Sequence, residues 1–196
     1  NIYSMFEANV YSGRRKRLLQ KMAQAQGIAV FVGNVDAAMN YRGNDYKFRQ
    51  DSSFLYYWGV DEPWFAAVLD LDSGEECLYG NDVDIDDIIW MGPQPSVASK
   101  GEAVGCARTL PLAEFDKAVA QAVSQGRPVH FLPPARYYNQ SKLAELTGIP
   151  YDQVRKVAPM AADGGRHASE ELVKAVVSMR LIKEACEIEE IDKACE

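Results

Sequence analysis

The stretch that decides the fold is Phe48-Arg49-Gln50-Asp51-Ser52-Ser53-Phe54-Leu55-Tyr56-Tyr57-Trp58-Gly59-Val60-Asp61-Glu62-Pro63. Five of its sixteen residues are aromatic. Aromatic rings with interleaved polar groups can form a recognition surface, because the rings supply rigid contact area and the polar groups fix orientation. The alternative is a packed corner in which Phe54 and Tyr57 fill the core and Asp51 or Ser52 caps the following turn. The residues themselves favour the packed corner.

The pattern on either side of this stretch alternates between helix and strand. Apolar spacing of three and four residues predicts helices, and short apolar runs bounded by Gly or Pro predict buried strands. The predicted helices are 12–27, a short helix 84–90, 112–125, 138–146, 169–181 and 184 onward. Ser12 is the predicted N-cap of the first. The predicted strands are 28–32, 65–71, 76–80, 128–132 and 154–157, and 34–51 and 92–105 are predicted loops. This alternation predicts an α/β fold, a mixed β-sheet with helices on both faces.

Composition excludes several classes of protein. The chain has 196 residues, 47% of them apolar, and 21 Lys plus Arg against 28 Asp plus Glu give a formal charge of −7. A core of ordinary size is expected, whereas a nucleic-acid partner, a membrane span and a secretory signal are not. The one basic run, Arg14 to Arg17, is predicted to be the solvated face of a helix with Leu18, Leu19 and Met22 turned inward, and the alternative is an anion-binding patch.

Common catalytic and metal motifs are missing from the sequence. The chain has no P-loop, G-x-G-x-x-G, H-E-x-x-H or G-x-S-x-G pattern, and its four cysteines lack zinc-ligand spacing. His130 lies in an apolar strand and is interpreted as structural, and the acidic run 82–87 does not complete a calcium loop. No catalytic residue and no metal ligand is therefore predicted here, and reduced thiols favour a cytoplasmic compartment.

Residues 48–63 resemble the signature of the N-terminal domain of Xaa-Pro aminopeptidases (aminopeptidase P), within the creatinase/prolidase group. Three further segments, 14–22, 82–92 with its Trp90-x-Gly92, and 179–188, resemble that family in the same order. The resemblance implies a domain over 1–183 and the start of a linker helix over 184–196. Two departures stand out: Glu184 and Ala185 replace the usual Ser or Pro, which predicts a weaker helix cap, and Pro93 and Gln94 replace basic residues. The apolar stripe that reaches Glu196 without a stop signal predicts a longer parent protein, and frayed or missing residues are the alternative.

The resemblance also implies a function for the parent protein. Such proteins carry a C-terminal pita-bread catalytic domain, lacking in this chain, where two Asp, one His and two Glu hold two divalent metals, usually manganese. The parent is expected to remove the N-terminal residue that precedes proline, and this chain alone is expected to hold no cofactor and to be inactive.

By the same resemblance, the N-terminal domain serves oligomerisation and substrate access. Its expected partners are its own C-terminal catalytic domain, further copies of the chain, and a proline-containing peptide. Trp90 is the main candidate to line a substrate pocket, with Arg49, Asp51 and Tyr57 as weaker ones, and a core position is the alternative for Trp90. The competing hypothesis is a non-catalytic protein-interaction module of the same architecture.

Overall fold

A five-stranded mixed sheet organises the chain in a computed structural model, which describes residues 5–41, 43–83, 92, 94–160, 165 and 167–195. The strand order is β4-β3-β2-β1-β5. The pairs β1–β2 and β2–β3 are antiparallel, and β1–β5 and β3–β4 are parallel. A separate parallel pair joins β6 to β7. The strands are β1 Ile28–Val32, β2 Ala66–Asp70, β3 Glu76–Tyr79, β4 Thr109–Leu110, β5 Val129–His130, β6 Val157–Ala158 and β7 Ala168–Ser169.

Helices cover both faces of this sheet, as predicted. Alternate residues of β1 point to opposite faces: Ala29 and Phe31 enter one core cluster, and Ile28 and Val30 enter the other. The first cluster includes side chains from α1, α2, α3 and α6, and the second includes side chains from α4 and α5. The helices are α1 Ala8–Lys21, α2 Ser52–Trp58, α3 Val97–Ala103, α4 Leu112–Ser124, α5 Tyr137–Thr147, α6 Glu170–Arg180 and α7 Ala185–Cys195.

The aromatic stretch is the packed corner that its residues favour. Asp51 caps α2, and its carboxylate accepts hydrogen bonds from the backbone N–H groups of Ser53 and Phe54, each at 2.9 Å. Phe54 and Tyr57 are fully buried. Gly59 ends the helix with φ of 65°, and a Cβ there would lie 2.5 Å from a ring carbon of Tyr11. This close approach explains why glycine follows the aromatic run.

Some element predictions are wrong. The first helix begins at Ala8 rather than after Ser12, whose hydroxyl donates instead to the carbonyl of Asn9. Part of the predicted loop 92–105 is helix α3, capped by Ser96 and by the carboxylate of Asp82, which accepts from the backbone N–H of Val97. Val154 is buried but precedes β6 rather than belonging to it. The predicted short helix 84–90 lies outside the described residues.

The prediction for the basic run is wrong for two of its four residues. Lys16 and Arg17 are exposed, as a solvated face requires, whereas Arg14 and Arg15 are almost fully buried. Burial of a guanidinium is tolerated only where carboxylates and carbonyls satisfy it. Arg15 forms two hydrogen bonds with Glu76, at 2.7 and 2.8 Å, and donates to the carbonyls of Tyr57, Val104 and Gly105. The first helix is therefore attached to the rest of the fold through its charged residues.

Within the described part of the chain, no helix has the length and apolar character needed to cross a membrane.

Candidate functional site

A buried amide network lies where β1 ends. Because β1 and β5 are parallel neighbours, their carboxyl ends share one edge of the sheet, the usual position of ligand crevices in α/β folds. The side-chain oxygen of Gln50 accepts from the backbone N–H groups of Asn34, at 2.7 Å, and Asp51, at 2.9 Å. Its NH₂ group donates to the carbonyls of Val60 and Glu62. Gln50 thus joins the chain after β1 to both ends of the aromatic stretch.

Asparagines extend this network to α5 on the other side of the edge. The NH₂ group of Asn139 donates to the side-chain oxygen of Asn34, at 3.1 Å, and to the carbonyl of Val32, at 3.3 Å. Asn34 in turn donates to the carbonyl of Arg49, at 2.8 Å. All three amide side chains are buried, so each bond forms in a low-dielectric setting where it holds its loop firmly.

Exposed apolar side chains are attached to this rigid base. Trp64 is 44% exposed and has a φ of 64°, a backbone conformation that is costly for a bulky residue. Its indole N–H donates to Asp36, at 3.1 Å, and its ring lies edge-on to Tyr138 with centroids 5.5 Å apart. Between Asn34 and Gln50 the chain turns back on itself through a bridge between Ala38 and Asp45. We refer to the exposed large side chains of this region as the rim: Met39, Tyr41, Tyr46 and Trp64.

The site residues expected from the sequence lie in three different settings. Arg49 is exposed beside the network, to which it contributes its backbone carbonyl. Asp51 is the N-cap of α2. Tyr57 is fully buried, and its hydroxyl donates to the sulfur of Met179 at 3.3 Å. Its pKa is raised above the ordinary tyrosine value, mainly by burial and to a smaller extent by the neighbouring Tyr56. Trp90 lies outside the described residues. The structure does not bring the side chains of Arg49 and Tyr57 to one surface, and peptide contact by these four residues stays a prediction.

The amide network and the rim were not predicted from the sequence. Asn34 lies two positions after the end of β1, which is a usable signal, because residues just after a parallel strand lie at the ligand-binding edge. Trp64 follows Pro63 but has no sequence pattern that indicates a positive φ. Asn139 belongs to a helix 105 residues from its partner Asn34, a separation that no local pattern can bridge.

The start of α7 is fixed to α1 by an ion-pair cluster. Nε of Arg14 donates to the Glu184 carboxylate at 2.8 Å, and Arg17 contacts the same carboxylate. The Arg14 guanidinium also lies 3.9 Å from the ring centroid of Tyr56. The Glu184 carboxylate is therefore occupied by arginines rather than by helix N–H groups. Glu187 instead accepts from the backbone N–H of Glu184, at 3.0 Å, in the manner of one half of a capping box.

His130 is structural, as predicted. Its Nδ1 lies 2.7 Å from the hydroxyl of Ser169, and its Nε2 lies 3.0 Å from the carbonyl of Gln26. Burial lowers the pKa of His130, opposed by the hydrogen bond to Gln26 and the charge of Glu171. The ring therefore connects β5 to the N-cap of α6 and to the turn before β1.

A two-metal centre needs several His, Asp and Glu side chains that converge on one point. No group of three or more His, Cys, Asp and Glu side chains converges within the part of the chain that the structure describes. The described residues therefore do not supply the ligand set of a metal pair.

A model of one protein family matches the part of the chain that holds all five strands of the main sheet. The family is described as "Aminopeptidase P, N-terminal domain", and the match covers residues 11–130. The chain belongs to this family. As an aminopeptidase P N-terminal domain, it carries most of α1, the aromatic stretch and all five strands of the main sheet inside the matched region.

Several relatives are Xaa-Pro aminopeptidases or peptidases by name, and a solved structure shares the fold. A probable Xaa-Pro aminopeptidase of Penicillium rubens is 34% identical over 89 residues, 42% of this chain and 17% of that protein. "Intermediate cleaving peptidase 55, mitochondrial" of Arabidopsis thaliana is 25% identical over 119 residues, 61% of this chain and 24% of that protein. "Proline aminopeptidase P II from Yersinia pestis" superposes with a TM-score of 0.69 at 22% identity, over 93% of this chain and 41% of that one. That superposition shows the shared fold.

This aminopeptidase P N-terminal domain accounts for a minor part of its relatives. The chain spans a quarter or less of the length of these two curated relatives, and less than half of the Yersinia pestis chain. The remaining part of those proteins has no counterpart within these 196 residues.

Proposed function

We propose that this chain is the non-catalytic N-terminal domain of a metal-dependent Xaa-Pro aminopeptidase, and that it controls substrate access and assembly through the rim. The observation that carries the proposal is a rigid base beneath exposed aromatic side chains. Gln50 and Asn34 fix the loops by buried hydrogen bonds, and Trp64 keeps a costly backbone conformation while almost half exposed. A surface held in this way is suited to contact a catalytic domain.

In this proposal the catalytic chemistry belongs to a separate catalytic domain. The metal pair, expected to be manganese, would be held by the catalytic domain and would supply the activated water and the electrophile. The N-terminal domain would place aromatic surface near the path of a proline-containing peptide, where a proline ring can pack on an indole or phenol face. The partners proposed are the domain's own C-terminal catalytic domain and a further copy of the chain, and the compartment proposed is the cytoplasm.

Peptide hydrolysis tests the division of labour. A short Xaa-Pro peptide with added manganese is incubated with this chain and with a longer protein that contains both domains. Turnover by the longer protein alone is the expected result. No turnover by either would favour a protein-interaction module, and turnover by the short chain would overturn the non-catalytic assignment.

Variants of the rim test the role in access. Tyr41→Ser in the two-domain protein is expected to change KM or kcat for a long Xaa-Pro peptide more than for a short one, because only a long peptide reaches past the metal site. Tyr137→Ser is the matched control, since Tyr137 is also strongly exposed but lies on α5. Equal effects of the two variants on KM and kcat would argue against a role of the rim in substrate access.

A further inference from the structure

An apolar groove separates α7 from the body of the domain. It has a volume of about 360 Å³, within the range of small-molecule sites. One wall is a single face of α7, formed by residues at intervals of three and four, Glu187, Glu190, Ile191 and Ala194. The opposite wall comes from the chain before and within α1 and from α2, with Met5, Phe6, Tyr11, Leu55 and Tyr56. Nothing in the amide network or the rim contributes to it.

Tyr56 lines this groove and carries an unsatisfied, enclosed polar atom. The residue is 6% exposed, and within the described part of the chain its hydroxyl has no hydrogen-bond partner. A buried hydroxyl without a partner is costly, and such groups call for an explanation in a bound water or ligand. Burial, followed by the charge of Glu184, raises the pKa of Tyr56, so the hydroxyl stays protonated and is available to donate.

Cations without carboxylate partners lie at the same place. Arg180 donates to the hydroxyl of Ser53 and Lys183 donates to the carbonyl of Arg180, and in the described residues neither forms an ion pair. The Arg180 guanidinium lies 5.5 Å from the ring centroid of Tyr56, so both groups face one part of the groove. Among the residues that line the groove, three cations, Arg14, Arg180 and Lys183, stand against two anions, Glu187 and Glu190, and 3 − 2 leaves one positive charge.

We propose that this groove binds a small apolar molecule that carries one carboxylate. The carboxylate would accept hydrogen bonds from the Arg180 guanidinium and, once a shift of the Tyr56 ring opens its enclosed hydroxyl to the groove, from that hydroxyl, and it would neutralise the excess charge. The apolar body would pack between Leu55 and Ile191 and remove both from water. A neutral molecule would leave the cations unpaired, and an apolar molecule without an acceptor would leave the Tyr56 hydroxyl unsatisfied.

Calorimetric titration of this chain with octanoate, and separately with octanamide, tests the proposal. The two probes share one apolar body and differ in charge. Octanoate is expected to bind at one site, and octanamide about tenfold more weakly, because a charge-assisted bond is replaced by a neutral one. Equal affinity for the two probes, or no binding of octanoate, would overturn the proposal.

Two pairs of variants locate the binding. Tyr56→Phe is expected to weaken octanoate binding about tenfold without lowering the unfolding midpoint, because the lost hydroxyl has no partner in the free protein. Ile191→Asp is expected to abolish binding through charge repulsion. Ile188→Asp is its matched control, since both isoleucines are 48% exposed on α7 and only Ile191 lines the groove. Unchanged affinity in Tyr56→Phe, or equal losses in the two aspartate variants, would contradict the site.

A second copy of the chain is the competing occupant. Sedimentation of the same variants separates the two cases. Self-association that Ile191→Asp removes and Ile188→Asp preserves would assign the groove to a dimer contact and would overturn the small-molecule site.

Discussion

Trp64 shows how much a single residue can deviate from its local preference. A bulky side chain at positive φ is unfavourable by about 1 kcal/mol or more, and only the surroundings hold it there. Two hydrogen bonds hold it: the Trp64 indole N–H donates to the carboxylate of Asp36, and the Trp64 backbone N–H donates to the carbonyl of Asn34 at 3.2 Å. The unfavourable backbone conformation of Trp64 lies at an exposed position, which fits the proposed contact surface for another domain.

Substitutions at Trp64 test this strain. Trp64→Gly is expected to be more stable than Trp64→Ala by about 1 kcal/mol, because both lose the indole and only glycine relaxes at positive φ. Val177, exposed within α6, is the control, and there Val177→Gly is expected to be less stable than Val177→Ala by a similar amount. Urea unfolding measures all four variants. The same order at both positions would contradict the strain.

Arg15 is the second residue whose surroundings hold an unfavourable state, in this case a buried charge. Arg15→Met is expected to lower the free energy of unfolding by about 3 kcal/mol, because Glu76 and three backbone carbonyls lose their donor. Lys16→Met, one position along on the exposed face of α1, is expected to change it by less than about 0.5 kcal/mol. Similar unfolding midpoints for the two variants would show that burial of Arg15 contributes little.

At the scale of elements, α2 illustrates a helix that depends on its ends. It has seven residues, too few to be stable alone, and it is bounded by the Asp51 cap and by Gly59. Four of its residues are buried, so the tertiary core stabilises what propensity cannot. Its position then sets the start of the amide network, since Gln50 immediately precedes the cap.

Removal of the cap tests this dependence. Asp51→Ala is expected to cost about 1 kcal/mol of unfolding free energy, whereas Asp51→Asn retains an acceptor and is expected to cost a few tenths at most. Ser52→Ala is the neighbouring control, because Ser52 is exposed and the cap bonds come from Asp51. Chemical denaturation measures the series. A loss at Ser52 as large as that at Asp51 would place the cap elsewhere.

Local patterns predicted the long elements and missed those whose cause lies far away. The apolar spacing of α4 and the run of β1 are properties of neighbouring residues, so their positions were predicted correctly. Helix α3 is an exception: its N-cap Ser96 is local, and the helix was missed because the Gly, Pro and Ser residues of 92–105 favour a loop. The charged face of α1 was assigned to solvent because Arg15 finds Glu76 only after sixty-one residues. The amide network joins three separate segments and has no local signal.

At the scale of the whole molecule, His130 links parts of the fold that the sheet does not join. Its ring bonds the turn before β1 through Gln26 and the start of α6 through Ser169. Ser169 also accepts from the backbone N–H of Leu172, and its hydroxyl lies 3.2 Å from a Glu171 oxygen. The neutral imidazole therefore stabilises a junction between the large sheet, the β6–β7 pair and α6.

Acidification is expected to weaken this junction. The folded-state pKa of His130 is lowered, so below the unfolded value of about 6.5 the unfolded chain binds a proton that the folded chain does not. The His130 contribution to stability is thus complete above that pH and declines as the pH falls below it. Urea unfolding of the wild type at several pH values should show this decline. A His130→Gln variant should show a weaker pH dependence over the same range, and an identical dependence would exclude His130 as its source.

The arginines of α1 also constrain the order in which this domain can be completed. Arg14 is near the start of the chain, and its carboxylate partner Glu184 follows 170 positions later. During synthesis the first helix therefore emerges with a guanidinium whose carboxylate partner does not yet exist, and until Glu184 is made the ring and carbonyl of Tyr56 are contacts that can receive it. An ion pair between residues so far apart in sequence forms late, which favours cooperative closure over stepwise growth at this contact.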